Sequence, residues 1–261
     1  MTDRVEQIKQ IISELTPEQQ KEVLRFVKSI TPKHPFEERL NIEAETVLSA
    51  INRADELILR NIRGVIAEAA FGVYVLNRPS NAYVLLDASG RENSFSDYVI
   101  GDKIGGIRVQ VKLQRSEKQQ PKVLPNGYYA VEVQRTRTGL REIKSKDEEG
   151  KETVISEETR PYRHGQFDIL AVNLYPSTGN WSNFMYTLSR WLVVNPKDKS
   201  KIKVMQPIPK EANNDWTDDF ETCVTWFRGE VEKSIADPKK ERRTAAKKKL
   251  GLDTTQGELE L

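Results

Sequence analysis

Apolar residues recur at helical spacing over residues 4–14, with Val5, Ile8, Ile11, Ile12 and, just beyond, Leu15 falling on one side. The next residues, Thr16-Pro17-Glu18-Gln19, restart a helix. Thr16 suits the N-cap, Pro17 the first helical position, and Gln19 completes a capping box. Val23, Leu24, Phe26, Val27 and Ile30 give this second helix its apolar stripe, so the pair predicts an N-terminal helical hairpin. Thr31-Pro32-Lys33-His34-Pro35 breaks the pattern and marks a boundary. From about Ile42 to Leu76 the helical period returns, carried by Val47, Leu48, Ile51, Leu57, Ile58, Ile62, Val65, Ile66 and Ala69. Gly64 is the expected point of division into two helices.

The period then changes to alternation. Strands are predicted over 82–86, 95–100, 107–113, 128–135 and 166–174. They are separated by the turn segments Pro79-Ser80-Asn81, Ser89-Gly90, Gly105-Gly106 and Pro125-Asn126-Gly127. Residues 140–160 are mostly charged, with Asp147-Glu148-Glu149-Gly150-Lys151 at the tip of a long polar hairpin or arm. Residues 181–191 and 215–235 read as helices anchored by Trp181, Trp191, Trp216 and Trp226. From Pro238 onward the chain is poor in apolar residues and rich in Lys and Arg. The order of helices, then a mixed sheet, then helices predicts an α+β (mixed α/β) fold with a central mixed β-sheet flanked by helices. The expected organisation is a helical hairpin over 1–34, a core over 35–237 with the polar arm inserted at about 136–163, and a basic tail over 238–261.

Composition narrows the function classes. The chain of 261 residues is 37% hydrophobic and 31% charged, which suits a soluble protein with an extended polar working surface. A net charge of only +2 makes the distribution of charge more telling than its sum. One cysteine, Cys223, excludes an internal disulfide framework and fits a reducing compartment; its surroundings read as a helix core position with an inert thiol. No apolar run is long enough to span a bilayer and the N-terminus is charged, so a cytoplasmic location and no membrane partner are expected. His34 and His164 are too isolated to form a triad or a metal site.

Candidate chemistry lies in Ser96-Asp97-Tyr98-Val99-Ile100 and, after a Gly turn, Ile107-Arg108-Val109-Gln110-Val111-Lys112-Leu113. Side chains alternate along a strand, so Gln110 and Lys112 share a face, and a tight hairpin brings Asp97 beside them. Upstream, Glu68 is an acid on an otherwise small and apolar helical turn, Arg63-Gly64-Val65-Ile66-Ala67-Glu68-Ala69-Ala70. A carboxylate, a second oxygen donor and an ammonium in one small volume are the minimum for metal-dependent hydrolysis of a phosphodiester. Taken singly, Asp97 reads as a strand end, Gln110 and Lys112 as a solvent-facing pair, and Glu68 as an ordinary helix acid. Asp102 reads as a turn residue, and Asp168, on an apolar strand, as structural support.

From Arg63 to Lys112 this arrangement resembles the PD-(D/E)XK nuclease superfamily, in which a helix acid precedes a strand Asp and a (D/E)-x-K strand follows after a hairpin. The segments Tyr129-Ala130-Val131-Glu132-Val133-Gln134-Arg135-Thr136-Arg137-Thr138-Gly139 and His164-Gly165-Gln166-Phe167-Asp168-Ile169-Leu170-Ala171-Val172 are similar to type II restriction endonucleases of that superfamily. The resemblance implies a restriction-endonuclease-like core. It implies Mg²⁺ held directly by Asp97, by a Gln110 carbonyl, and by Glu68 through water or at a second site. It implies that Lys112 positions or activates the attacking water. Two positions depart from the pattern: Gln110 stands where an acid is usual, as in Q-x-K branches, and Ser96 stands where the motif has proline.

Double-stranded DNA would meet Arg135 and Arg137 at the entry to the arm, Lys118 and Lys122 just past the Lys112 strand, and Arg163 at the arm's exit. The basic tail, Lys239 to Lys249, would add a salt-dependent, sequence-blind attraction. The expected protein is a Mg²⁺-dependent type II restriction endonuclease cutting a short palindromic site, with a homodimer expected and a monomer that nicks each strand in turn as the alternative. The alternatives are a repair or junction nuclease on the same fold and a nucleic-acid-binding protein in which Gln110 marks a lost ligand.

Overall fold

The computed structural model describes residues 2–77, 83–87, 95–134, 140–146, 152–158 and 161–237. The chain divides into two compact units, residues 1–59 and 60–261.

The first unit holds α1 (Thr2–Glu14), α2 (Pro17–Ile30), α3 (Pro35–Leu40) and α4 (Ala44–Asn52). The capping box forms as predicted: Gln19 N–H donates to Thr16 Oγ1 and Thr16 N–H to Gln19 Oε1. His34 has a similar local task. Its Nδ1 accepts from Phe36 N–H at 3.1 Å, and its own N–H donates to Glu37 Oε2, so it caps α3.

Helix α5 (Glu56–Phe71) runs through Gly64 without a break, contrary to the expected division there. A single glycine costs a helix about 1 kcal/mol relative to alanine, too little to end one. The interruption falls instead at residues 53–55, where Asp55 Oδ1 takes Ile58 N–H at 2.9 Å and starts the next helix. Helix α5 passes into one π-helical turn over Gly72–Leu76.

The centre of the second unit is a five-stranded mixed sheet flanked by helices. It contains β1 (Val84–Asp87), β2 (Tyr98–Gly101) and β3 (Gly106–Leu113). Next come β4 (Ser116–Glu117), β5 (Gln120–Pro121), β6 (Tyr129–Glu132), β7 (Leu140–Lys146) and β8 (Glu152–Glu158). The chain then forms β9 (Ile169–Asn173), α6 (Tyr175–Thr178), β10 (Phe184–Leu188), β11 (Met205–Ile208) and α7 (Phe220–Arg228). The central sheet has the order β1-β2-β3-β9-β10, with β3 and β9 parallel and the other pairs antiparallel. Strands β6 and β11 pair separately. Strands β7 and β8 form the polar hairpin expected between 140 and 160.

The register puts Tyr98, Val109, Val111, Ala171 and Tyr186 on one face of the sheet. That face packs on helices through Phe71 of α5, fully buried, whose ring lies 5.2 Å from Tyr98, 5.8 Å from Phe184 and 5.4 Å from Phe220 of α7. The opposite face of β3 carries Arg108, Gln110 and Lys112.

The helix expected over 181–191 is β10 followed by a short 3₁₀ turn. Phe184 to Leu188 are all buried, so both faces of this strand are covered and the alternation that marks a strand vanishes. The helix expected over 215–235 is confined to α7, started by Asp219, which accepts Thr222 N–H, and ended at Gly229–Glu230, where Glu230 has φ of 52°. Cys223 is buried in α7 as expected, and burial pushes its thiol pKa up. Among the described residues no helix is long and apolar enough to cross a membrane.

Candidate active site

Strands β2 and β3 pair as far as Tyr98 and Val109, and one residue beyond this pairing stands Asp97. Asp97 N–H still donates to Val109 carbonyl at 3.0 Å. Its carboxylate then takes over from the backbone: Asp97 Oδ2 accepts Val111 N–H at 2.8 Å, a donor the diverging strand β2 no longer serves. The acid is thus fixed where two strands part.

Gln110 is 2% exposed and its amide is tied at both ends. Gln110 Nε2 donates to Asp97 Oδ2 at 2.5 Å and to Val111 carbonyl at 3.3 Å. Gln110 Oε1 accepts the Tyr162 hydroxyl at 3.1 Å. Lys112, on the same face, holds its ammonium 5.8 Å from the centre of the Tyr162 ring. Among the described residues Lys112 makes no ion pair.

Glu68 comes from α5. Its turn is anchored by Tyr98, whose hydroxyl donates to Glu68 carbonyl at 2.8 Å. Gly72 permits this approach, since a Cβ there would lie 3.0 Å from the Tyr98 hydroxyl. The Glu68 pKa is pushed up to about 7, first by burial and then by the Asp97 charge, with Lys112 opposing. Burial also raises the Asp97 pKa, against Lys112, Val111 N–H and Gln110. The two acids therefore repel each other in a partly desolvated site, and one cation attracts both.

The structure thus brings Glu68, Asp97, Gln110 and Lys112 together. Among the described residues, both hydrogen bonds to Asp97 land on Oδ2, and the Glu68 carboxylate accepts none. Two carboxylates converge rather than three; among the described residues no group of three or more His, Cys, Asp or Glu is placed to hold a metal ion. Hard oxygen donors in mutual repulsion fit a hard cation such as Mg²⁺, which takes one or two carboxylates and fills its remaining positions with water and phosphate.

Of the residues nominated for DNA contact, Lys118, Lys122 and Arg163 are described. Lys118 is exposed at the turn between β4 and β5 with φ of 50°. Lys122 pairs with Glu117 at 2.6 Å. Arg163 donates to Ser200 Oγ at 2.8 Å. Arg135, Arg137 and the basic tail lie outside the described residues.

Asp168 and Asp102 have structural roles. Asp168 receives Arg108 Nη2 at 2.7 Å, Arg108 Nε at 3.1 Å and Arg108 N–H at 2.8 Å. Asp102 accepts Ile104 N–H and Gly105 N–H within its turn and pairs with Arg228. Tyr162 was not visible from the sequence. It lies in the non-periodic stretch after the arm and reaches Gln110 across 52 residues.

No protein-family model and no curated protein matches the chain. Among solved structures it is similar to the bacterial homing endonuclease I-Ssp6803I, at 22% identity and a TM-score of 0.31, over 55% of this chain and 84% of that one.

Proposed function

We propose that the second unit is a Mg²⁺-dependent nuclease of the PD-(D/E)XK kind, acting on double-stranded DNA as a type II restriction endonuclease. The observation that carries this reading is the convergence of Glu68, Asp97 and Lys112. Burial and the Asp97 charge raise the proton affinity of Glu68, burial raises that of Asp97, and an ammonium without an ion-pair partner among the described residues stands beside them. Acids whose proton affinity is raised by burial and by a neighbouring charge are characteristic of functional sites.

Asp97 and Glu68 would hold the cation. When bound, Mg²⁺ supplies charge neutralisation at the scissile phosphate and acidifies water. Asp97 is aimed by Val111 N–H and Gln110, so its orientation is set before substrate arrives. Lys112 presents positive charge where phosphate oxygens gain negative charge. Its ring neighbour Tyr162 holds the chain without neutralising it. Lys118, Lys122 and Arg163, with Arg135 and Arg137, would take backbone phosphates or base edges, and a two-fold homodimer would place one site on each strand.

The test is incubation of the purified protein with phage DNA in Mg²⁺, in EDTA, and as Lys112→Ala. Discrete fragments that require both Mg²⁺ and Lys112 support a site-specific endonuclease. A smear, or cleavage of branched substrates only, replaces restriction with a repair or junction activity. A second reading has one specific observation behind it: Gln110 offers Asp97 its NH₂ end, leaving two acidic ligands. Retained DNA binding in a gel shift without cleavage under any condition would make the protein a binding module.

A further inference from the structure

We propose that Tyr162 is a positioning residue that locks the Gln110 amide with its NH₂ end on Asp97. Gln110 then serves the site as a donor that aims the carboxylate and not as an oxygen ligand. The inference refines the nuclease reading and rests on it for its cation arm only.

The argument is one of satisfiability. Gln110 is 2% exposed and Tyr162 4% exposed, so water does not substitute freely for either partner. In the observed orientation Nε2 meets two acceptors, Asp97 Oδ2 and Val111 carbonyl, and Oε1 meets a donor, the Tyr162 hydroxyl. Turning the amide over would set Oε1 against a carboxylate and a carbonyl, two acceptors facing a third. Buried polar groups without partners are costly, so the three bonds select one orientation together. The tyrosine is itself held: its ring packs edge-on against Phe167 at 5.2 Å, and Ile202 N–H donates to its carbonyl. The same ring underlies Lys112. One residue from the far side of a 52-residue separation thus sets both polar side chains of the Gln-x-Lys strand.

The test uses the full chain, Mn²⁺ as the probe, and the variants Tyr162→Phe, Gln110→Ala and the double variant. Phenylalanine keeps the ring under Lys112 and removes only the hydroxyl. Mn²⁺ affinity is read by isothermal titration, and Tm is read in EDTA. Tyr162→Phe and Gln110→Ala are each expected to weaken Mn²⁺ binding roughly tenfold to a hundredfold, the range for groups that orient metal ligands, and the double variant no further. In EDTA their Tm losses are expected to be smaller together than their sum. Unchanged Mn²⁺ affinity in Tyr162→Phe beside a large loss in Gln110→Ala would overturn the proposal and make Gln110 a ligand. Additive Tm losses would also overturn it. A wild-type protein that binds no Mn²⁺ would sink the nuclease reading, while non-additive Tm losses would still support the Tyr162–Gln110–Asp97 lock.

Discussion

Replacing Glu68 by Gln in metal-free protein should remove a pH dependence of stability that the site imposes. The Glu68 carboxyl has a pKa of about 7 in the fold against 4.5 for the free group, because burial and the neighbouring Asp97 charge both disfavour its ionised form. The folded state therefore binds this proton more tightly than the unfolded state. Between pH 4.5 and about 7 the unfolded chain has released it and the folded chain retains it, so stability falls as pH rises through that window. The full difference of about 2.5 pH units corresponds to about 3 kcal/mol. The carboxyl is only partly buried, and screening by solvent brings the expected loss to about 1–2 kcal/mol. Asp97, raised by burial, adds a slope of the same sign starting at lower pH. Glu68→Gln keeps the shape and cannot ionise. The assay is urea unfolding in EDTA across this pH range for both proteins. Wild-type stability should decline toward neutral pH and the variant should decline less, crossing above wild type near pH 7. Parallel curves, or a wild type that gains stability as pH rises, would refute the burial-and-repulsion account of the site.

Lys112→Ala should separate activity from stability. The ammonium has no ion-pair partner among the described residues, so unfolding free energy should shift by less than about 1 kcal/mol while cleavage falls at least roughly a hundredfold, measured by fragment yield against time. Asp168→Asn should leave Arg108 beside a neutral amide in place of a two-pronged carboxylate, lowering stability by about 1–3 kcal/mol in denaturant unfolding, with the loss muted at high salt. Phe71→Ala should cost about 3–5 kcal/mol, since a fully buried ring with three aromatic neighbours leaves a cavity; thermal unfolding would report it as a large drop in Tm.

The parts of this protein decided by neighbours in sequence were legible in the sequence. The capping box at Thr16 and Gln19, the alternation that put Gln110 and Lys112 on one face, and the Gly-rich turn that folds β2 onto β3 all arise from backbone sterics and side-chain period within a few residues. Asp102 as a turn former and Cys223 as a buried helix thiol were readable for the same reason. Strand β10 is not legible as a strand because burial on both faces erases the period that would distinguish it from a helix. The break between α4 and α5 lies not at Gly64 but at Asp55, which carries the local cap that makes it.

Tertiary structure alone decided how the site is poised. The sequence contained an acid at 68 and another at 97. Their mutual repulsion and the rise of Glu68 toward neutrality exist only because α5 and the β2–β3 fork desolvate them side by side. The sequence contained a glutamine where an acid is usual. Which end of its amide meets Asp97 was decided by Tyr162, 52 residues away. Periodicity and capping are written into adjacent residues, whereas proton affinity and hydrogen-bond direction depend on which distant groups the fold removes from water together.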